Sequence, residues 1–187
     1  MRKKQVFGKN RYLLFCSAGC SNERGAMTQT KMLAQGAIIA ALYVVLTMIF
    51  APISFGAVQI RIAEALTILP LFTPAAVPGL FVGCVIANIL GGGIIVDVIF
   101  GSIATLIGAV LGRMLRSNRW LVPIPAIASN TVIVPLVLRY GYGVDLPLSA
   151  LVLYIALGEI AGCYILGELL AQILLPYSKR IFRDENS

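Results

Sequence analysis

The sequence contains no histidine and little charge. Only 12% of its 187 residues are Asp, Glu, Lys or Arg. Histidine is the commonest general base and the commonest zinc ligand, so its absence argues against a serine and histidine hydrolase or a zinc enzyme. No nucleophile has a base near it, and no GxxxxGKS/T loop is present to hydrolyse ATP. We therefore expect a protein that is not an enzyme and that holds no metal or cofactor.

Cysteine is scarce as well, with four residues in the chain. Cys16 and Cys20 lie in the first 26 residues, and no CxxC or Cys/His pattern is present. Cys84 and Cys163 lie inside apolar runs, where a thiol usually acts as a small apolar filler. We interpret these two residues in that way.

Apolar residues are abundant. They make up 59% of the chain, more than a water-soluble domain can cover with polar surface. About 20 apolar residues cross a hydrocarbon core of roughly 30 Å, and backbone groups in lipid must be satisfied within a helix or a closed barrel. The runs do not alternate, so we predict an all-α membrane protein, a six-transmembrane-helix bundle with spans at 33–52, 60–73, 76–92, 94–112, 119–138 and 148–176.

Two of these spans are predicted to be irregular. The second is short and contains Arg61 and Glu64, so we expect it to be tilted, buried in protein or re-entrant. The fifth contains Pro123, Pro125 and Pro135, which free backbone carbonyls and disturb the helix.

The basic residues predict the orientation of the bundle. With six spans and the N-terminus inside, all 15 Lys and Arg residues except Arg61 and Arg139 lie on the inner side. The positive-inside rule then predicts that both termini are cytoplasmic. The net charge of +7 is thus a topogenic bias and a contact for anionic lipid. It does not indicate a nucleic-acid partner, because no arginine stripe is interleaved with aromatic residues.

Residues 1–26 differ in composition from the rest of the chain. They are basic, and their apolar patch at 12–16 is too short to span a membrane. We predict that residues 1–26 are a disordered leader or follow a misplaced start, with Met27 as the true beginning. Residues 27–187 are predicted to form a single six-helix membrane domain.

Polar side chains inside the spans are the best candidates for function. An acid or amide in lipid costs on the order of 2–4 kcal/mol, so it faces a protein interior or a wet cavity. Under the predicted topology several converge near the outer face, as a solute pocket requires, whereas Glu168 lies deeper and is excluded. Glu159 is the hardest to explain otherwise, since its neighbours along the chain are apolar. The predicted binding residues are Arg61, Glu64, Asn88, Asp97, Asn130 and Glu159.

Structural roles are alternatives for the other five. Arg61 and Glu64 are three residues apart, close enough for an ion pair on one helix face. Asn88 precedes a glycine turn and suits a helix end, while Asp97 suits the N-terminus of the next helix. Asn130 suits a hydrogen bond between helices.

Small residues recur at three- and four-residue spacing along several spans. Such stripes let helix backbones approach closely in lipid. They serve either packing inside the bundle or, on the first span, docking of another membrane subunit. The stripes are Ala34, Ala37 and Ala41; Gly79, Gly83 and Ala87; Ala104, Gly108 and Gly112; and Gly158 and Gly162.

Three segments carry a resemblance to a known family. They are the alanine-rich residues 34–43, the RIAEAL of residues 61–66, and the GCVIAN of residues 83–88 followed by Asp97. The chain from Met27 to Phe182 resembles the S-components of energy-coupling factor transporters, most closely the QueT family of queuosine-precursor transporters. The first segment is similar to the AxxxA helix that S-components place against their coupling subunit.

The resemblance implies a bacterial plasma-membrane protein of the S-component type. Such a six-helix subunit binds a 7-deazaguanine queuosine precursor from outside and delivers it inward with a transmembrane coupling subunit and two ATPases. Docking of the coupling subunit would use Ala34, Ala37 and Ala41. An S-component for a different vitamin or nucleobase, and an autonomous small membrane carrier or scaffold, stay open as alternatives.

Residue types in the spans match the hydrogen-bonding groups of such a base. Its N–H and amine form a donor pair that a carboxylate accepts, from Glu159 or Glu64, and its carbonyl accepts from Asn88 or Asn130. Asp97 would pair with an aminomethyl group.

Aromatic side chains are needed to stack on the base. The candidates for stacking are Phe55, Tyr154 and, in the fifth connection, Tyr140 or Tyr142, with interface anchoring as the alternative role.

Overall fold

The apolar runs fold into helices. The computed structural model describes the backbone of residues 9–51 and 61–178, and the side chains of residues 29–51 and 61–178. Within these ranges every regular element is helical, which confirms the all-α prediction. The α-helices are α1 (Lys9–Ile49), α2 (Ala76–Leu90), α3 (Ile95–Met114), α4 (Ile124–Leu136), α5 (Leu148–Glu159) and α6 (Gly167–Leu174).

Tighter and wider helical turns connect several of these elements. A 3₁₀ helix, Ile62–Leu71, precedes α2, and a shorter one, Arg119–Leu121, precedes α4. A π-helical turn, Val137–Gly141, follows α4 directly after Pro135, so the fifth segment is irregular as predicted. A second π-helical segment, Ile160–Leu166, joins α5 to α6.

All six predicted spans contain apolar helical segments, and four of these are long enough to cross a membrane. The last of the four has 30 residues, about 45 Å at the usual helical rise, which exceeds the roughly 30 Å of a hydrocarbon core. The second and third predicted spans give shorter apolar helices, Ile62–Leu71 and Ala76–Leu90. The four long stretches are Gln29–Ile49, Ile95–Met114, Arg119–Gly141 and Leu148–Tyr177.

The chain divides into two compact units, Met1–Ala34 and Gln35–Ser187. The first unit contains the N-terminal part of α1, whose backbone is helical from Lys9. The predicted leader, residues 1–26, falls within this unit, and its boundary at Met27 stays a prediction.

Small residues bring the helices of the second unit into close contact. A Cβ atom added to Gly79 would lie 2.7 Å from the carbonyl oxygen of Gly36, so α1 and α2 meet at backbone distance. An added Cβ on Gly108 would lie 2.6 Å from the Cα of Ala126, which shows that α3 and α4 meet in the same way. The predicted glycine stripes of α2 and α3 therefore serve packing inside the bundle.

The bundle is apolar outside as well as inside. Only 28% to 44% of each long apolar window is buried, so most of these side chains face outward. Leu33, Ile95 and Val132 are each more than half exposed. Such a surface is stable in lipid and not in water, as in a multi-pass membrane protein.

Candidate functional site

A set of buried polar side chains gathers where six helical segments meet, α5 and the π-helical segment after it counted as one, and we call this set the polar cluster. Every member is at most 6% exposed although the surroundings are apolar. Polar groups in such a place need partners within the protein or a bound ligand. The members are Tyr43, Arg61, Glu64, Asn88, Asp97, Asn130, Glu159 and Cys163.

One side of the polar cluster is a chain of contacts around two carboxyl groups. The Tyr43 hydroxyl, on the inner face of α1, donates to Glu64 Oε1 at 2.6 Å. Cys163 Sγ lies 3.1 Å from Glu159 Oε2 and 4.0 Å from Glu64 Oε2, so one thiol stands between the two acids. The Asn130 side chain of α4 also approaches the Glu159 carboxyl group. Four helical segments thus converge on Glu64 and Glu159.

The other side of the polar cluster is centred on Asp97, in the first turn of α3. Arg61 Nη2 lies 3.9 Å from Asp97 Oδ2, with both side chains almost completely buried. The Tyr142 hydroxyl donates to the same carboxylate oxygen at 3.1 Å and accepts from the Ile94 N–H at 3.2 Å. Asp97 therefore makes tertiary contacts with Arg61 and Tyr142, beyond any role at its own helix end.

Tyr142 lies outside the long apolar stretches and keeps its proton. Burial raises the pKa of its phenol, the Ile94 N–H lowers it, and the negative charge of Asp97 raises it again. Since the net direction is upward from a usual value of 10.0, the hydroxyl is a donor to Asp97 at neutral pH.

Asn88 and Asp97 converge over a glycine of α3. A Cβ atom added to Gly101 would lie 3.3 Å from Asn88 Nδ2 and 3.2 Å from Asp97 Oδ1. Asn88 Nδ2 also contacts Cys84 Sγ at 3.5 Å, and Thr105 Oγ1 lies 3.4 Å from the same sulfur. Cys84 and Cys163 are fully buried, as expected of fillers, but both sulfur atoms make polar contacts that the sequence analysis did not predict.

Negative groups outnumber positive ones in the polar cluster. Arg61 is its one basic member, against the three carboxyl groups of Glu64, Asp97 and Glu159. The Arg61 guanidinium cannot balance three ionised acids in a place shielded from water. Protons or a cationic or hydrogen-bond-donating ligand must supply the rest.

Three members of the polar cluster have the spacing of metal ligands. One ligand atom each from Glu64, Glu159 and Cys163 lies within 4.8 Å of the other two. Tyr43 already donates to Glu64, and Cys163 contacts Glu159, so these groups satisfy one another without an ion. The expectation that the protein holds no metal stays a prediction.

The structure brings together all six predicted polar residues, and of the predicted aromatic residues it places Tyr142 beside Asp97. Tyr154 is 39% exposed, and no polar contact among the described residues joins it to the polar cluster. Phe55 lies outside the described residues. Glu168, excluded at the outset, pairs with Arg119 at 2.9 Å, away from the polar cluster.

Tyr43 and Cys163, the partners of the two glutamates, are not among the predicted binding residues. Helical spacing carried a signal for each. Cys163 follows Glu159 by four residues, so the two share a helix face. Tyr43 follows Gly36 and Ile39 on the buried face of α1, whereas Ala34, Ala37 and Ala41 are exposed on that helix.

Comparison with known proteins adds a family. The family model described as QueT transporter matches residues 33–176. A curated relative, the Queuosine precursor transporter QueT of Lactococcus lactis subsp. cremoris (strain MG1363), is 41% identical over 81 residues, which cover 42% of this chain. That match spans 47% of the relative, about half of its length. No solved structure matches significantly.

Proposed function

Since the chain belongs to the QueT transporter family, we propose that it is the substrate-binding membrane subunit of an energy-coupling factor importer. The relative from Lactococcus lactis is named for a queuosine precursor, and we propose that this chain binds such a precursor in a 7-deazaguanine form. Membership in a transporter family favours transport over catalysis. Because the match covers only part of that relative, substrate and partners are proposals for this chain.

The polar cluster is the proposed substrate site. The observation that carries this proposal is the convergence of Glu64, Asn88, Asp97, Asn130 and Glu159 with Arg61 in one buried place. These groups are complementary to a deazaguanine, because a carboxylate accepts its paired N–H donors and an amide donates to its carbonyl oxygen.

The surplus of acids in the polar cluster supports a ligand rich in donors. A deazaguanine offers its ring N–H and amine to Glu64 or Glu159, and a 7-aminomethyl form adds an ammonium group for Asp97. In the absence of ligand, protons and the contacts with Tyr43 and Cys163 satisfy the same carboxyl groups. Binding then exchanges these internal partners for those of the substrate.

The proposed partners are a transmembrane coupling subunit and two ATPase subunits. Ala34, Ala37 and Ala41 are exposed on α1, which supports a docking face that other helices can approach closely. In the proposed arrangement six segments cross the bacterial plasma membrane with both termini in the cytoplasm. The distribution of Lys and Arg supports that orientation.

Calorimetric titration of the detergent-purified protein tests the substrate and the site together. We expect tight binding of a 7-deazaguanine such as the 7-cyano or 7-aminomethyl form, and a loss of about 100-fold on Glu159→Gln as a charge-assisted hydrogen-bond acceptor is removed. Glu168→Gln is the matched control, since it removes an acid outside the polar cluster. If the titration shows no binding of deazaguanines but clear binding of a vitamin, the proposed substrate is rejected and the role as a binding subunit is retained.

A second experiment tests the partners. Ala37→Leu combined with Ala41→Leu should abolish co-purification with the coupling subunit and leave ligand binding intact, because both residues are exposed on α1. Uptake that is unchanged by the double substitution would favour a carrier that works alone.

A further inference from the structure

A groove of about 490 Å³ lies at the other end of the bundle from Asp97. Arg116, Arg119 and Trp120 line it, together with Phe72, Leu175 and residues next to them. We call it the arginine groove. None of its lining residues belongs to the polar cluster.

The ends of the long apolar helices place the arginine groove at a membrane surface. The stretch Ile95–Met114 ends just before it, the stretch Arg119–Gly141 begins in it, and the stretch Leu148–Tyr177 ends beside it. Three spans that end at one place mark the boundary between hydrocarbon and water. Lipid headgroups lie at this boundary.

The chemistry of the groove is amphipathic and positive. Arg119 is held by Glu168 at 2.9 Å and by the ring of Trp120, whose centroid lies 4.5 Å from the guanidinium carbon. Arg116 is exposed, and no acidic side chain of the described residues pairs with it. Phe72 and Leu175 provide apolar wall on the side of the spans. The charge of Arg116 is therefore available to an anion that also carries an apolar part.

We propose that the arginine groove binds the headgroup of an anionic phospholipid. The lipid phosphate lies against Arg116, its glycerol region contacts Trp120, and its acyl chains follow Phe72 and Leu175 toward the hydrocarbon. A soluble anion would use the arginine but not the apolar wall. The inference does not depend on which solute the polar cluster binds.

Trp120 is a built-in reporter for this proposal, because it is the one tryptophan of the chain and it lines the groove. The full-length protein is reconstituted into vesicles of phosphatidylcholine and phosphatidylglycerol in which one lipid at a time carries brominated chains. Bromine quenches tryptophan fluorescence at short range. We expect brominated phosphatidylglycerol to quench Trp120 as if it were enriched about fivefold over brominated phosphatidylcholine at equal mole fraction.

Two matched variants separate the groove from general surface charge. Arg116→Gln should reduce the enrichment to about the level of random mixing, while Arg116→Lys retains most of it. Lys31→Gln removes the same charge from an exposed position of α1 outside the groove and should change nothing. Equal quenching by the two brominated lipids, or equal losses in Arg116→Gln and Lys31→Gln, would overturn the proposal. Quenching that inorganic phosphate relieves would identify a site for soluble anions and overturn it too.

Discussion

Two arginine–carboxylate pairs, at opposite ends of α3, differ in distance, exposure and charge balance. Arg61 and Asp97 lie 3.9 Å apart and are exposed by only 6% and 3%, whereas Arg119 and Glu168 lie 2.9 Å apart with 33% and 9% exposed. The first pair belongs to a cluster with more acids than bases. The second is balanced, and its arginine is partly exposed although its carboxyl group is buried. The long distance and the unbalanced charge of the first pair support the proposed ligand site, while the short, balanced second pair suits a structural role.

Removing the arginine should reveal the largest difference in stability between the two pairs. Arg61→Gln leaves three buried carboxyl groups without a cation and should lower the free energy of unfolding by about 3–5 kcal/mol. Arg119→Gln leaves the single buried carboxyl group of Glu168 without its partner and should lower the free energy of unfolding less, by about 1–2 kcal/mol, since the Arg119 side chain is partly exposed. Heat-induced labelling of the buried Cys84 and Cys163 by a thiol-reactive dye gives the midpoint temperatures. Equal shifts in the two variants would contradict the distinction.

Removing a hydroxyl at each end tests the same distinction with a smaller change. Tyr43→Phe deprives the buried Glu64 carboxyl group of its 2.6 Å donor and should cost about 2 kcal/mol. Tyr164, which packs its ring on Trp120 at 6.4 Å near the second pair, is the control. Tyr164→Phe keeps that ring contact and should stay within about 0.5 kcal/mol of the unchanged protein. Similar losses of stability for both variants in the same dye assay would mean that the hydrogen bond from Tyr43 to Glu64 contributes no more than an ordinary surface hydroxyl.

The sequence predicted the helical segments and six members of the polar cluster, because both depend on simple energetic penalties. Apolar runs must be helical in lipid, and polar residues within them must turn inward. This placed Glu159 and Asn130 inside the bundle before any contact was known. Those penalties do not specify which polar groups meet.

Partner choice depends on rotation about the helix axis, which the sequence analysis did not resolve. Five residues of an α-helix turn by about 140°, so Tyr154 and Glu159 lie on different faces and Tyr154 is left half exposed. The π-helical segment Ile160–Leu166 changes the turn per residue just where Cys163 reaches Glu159. Tyr142 contacts Asp97 from 45 residues away, a pairing that no local pattern contains.

The smallest expected effect concerns Tyr142, at the rim of the polar cluster. Tyr142→Phe removes the hydrogen bond to Asp97 and should cost about 1 kcal/mol at neutral pH, a modest value because the ring is 40% exposed. The effect should depend on pH. Since the pKa of the phenol is raised in the folded protein, the stability it contributes is present below about pH 10 and is lost as the pH rises through the folded value.

The difference in free energy of unfolding between Tyr142→Phe and the unchanged protein should therefore shrink in strongly alkaline solution. Tyr140→Phe, two residues away and 80% exposed, is the control and should make no difference at either pH. A constant difference for Tyr142→Phe across this pH range would mean that ring packing, and not the proton held between Tyr142 and Asp97, stabilises the rim. A shrinking difference would mean that the protonated phenol helps to hold Asp97 in place beside Arg61, an interaction that the other end of α3 lacks among the described residues.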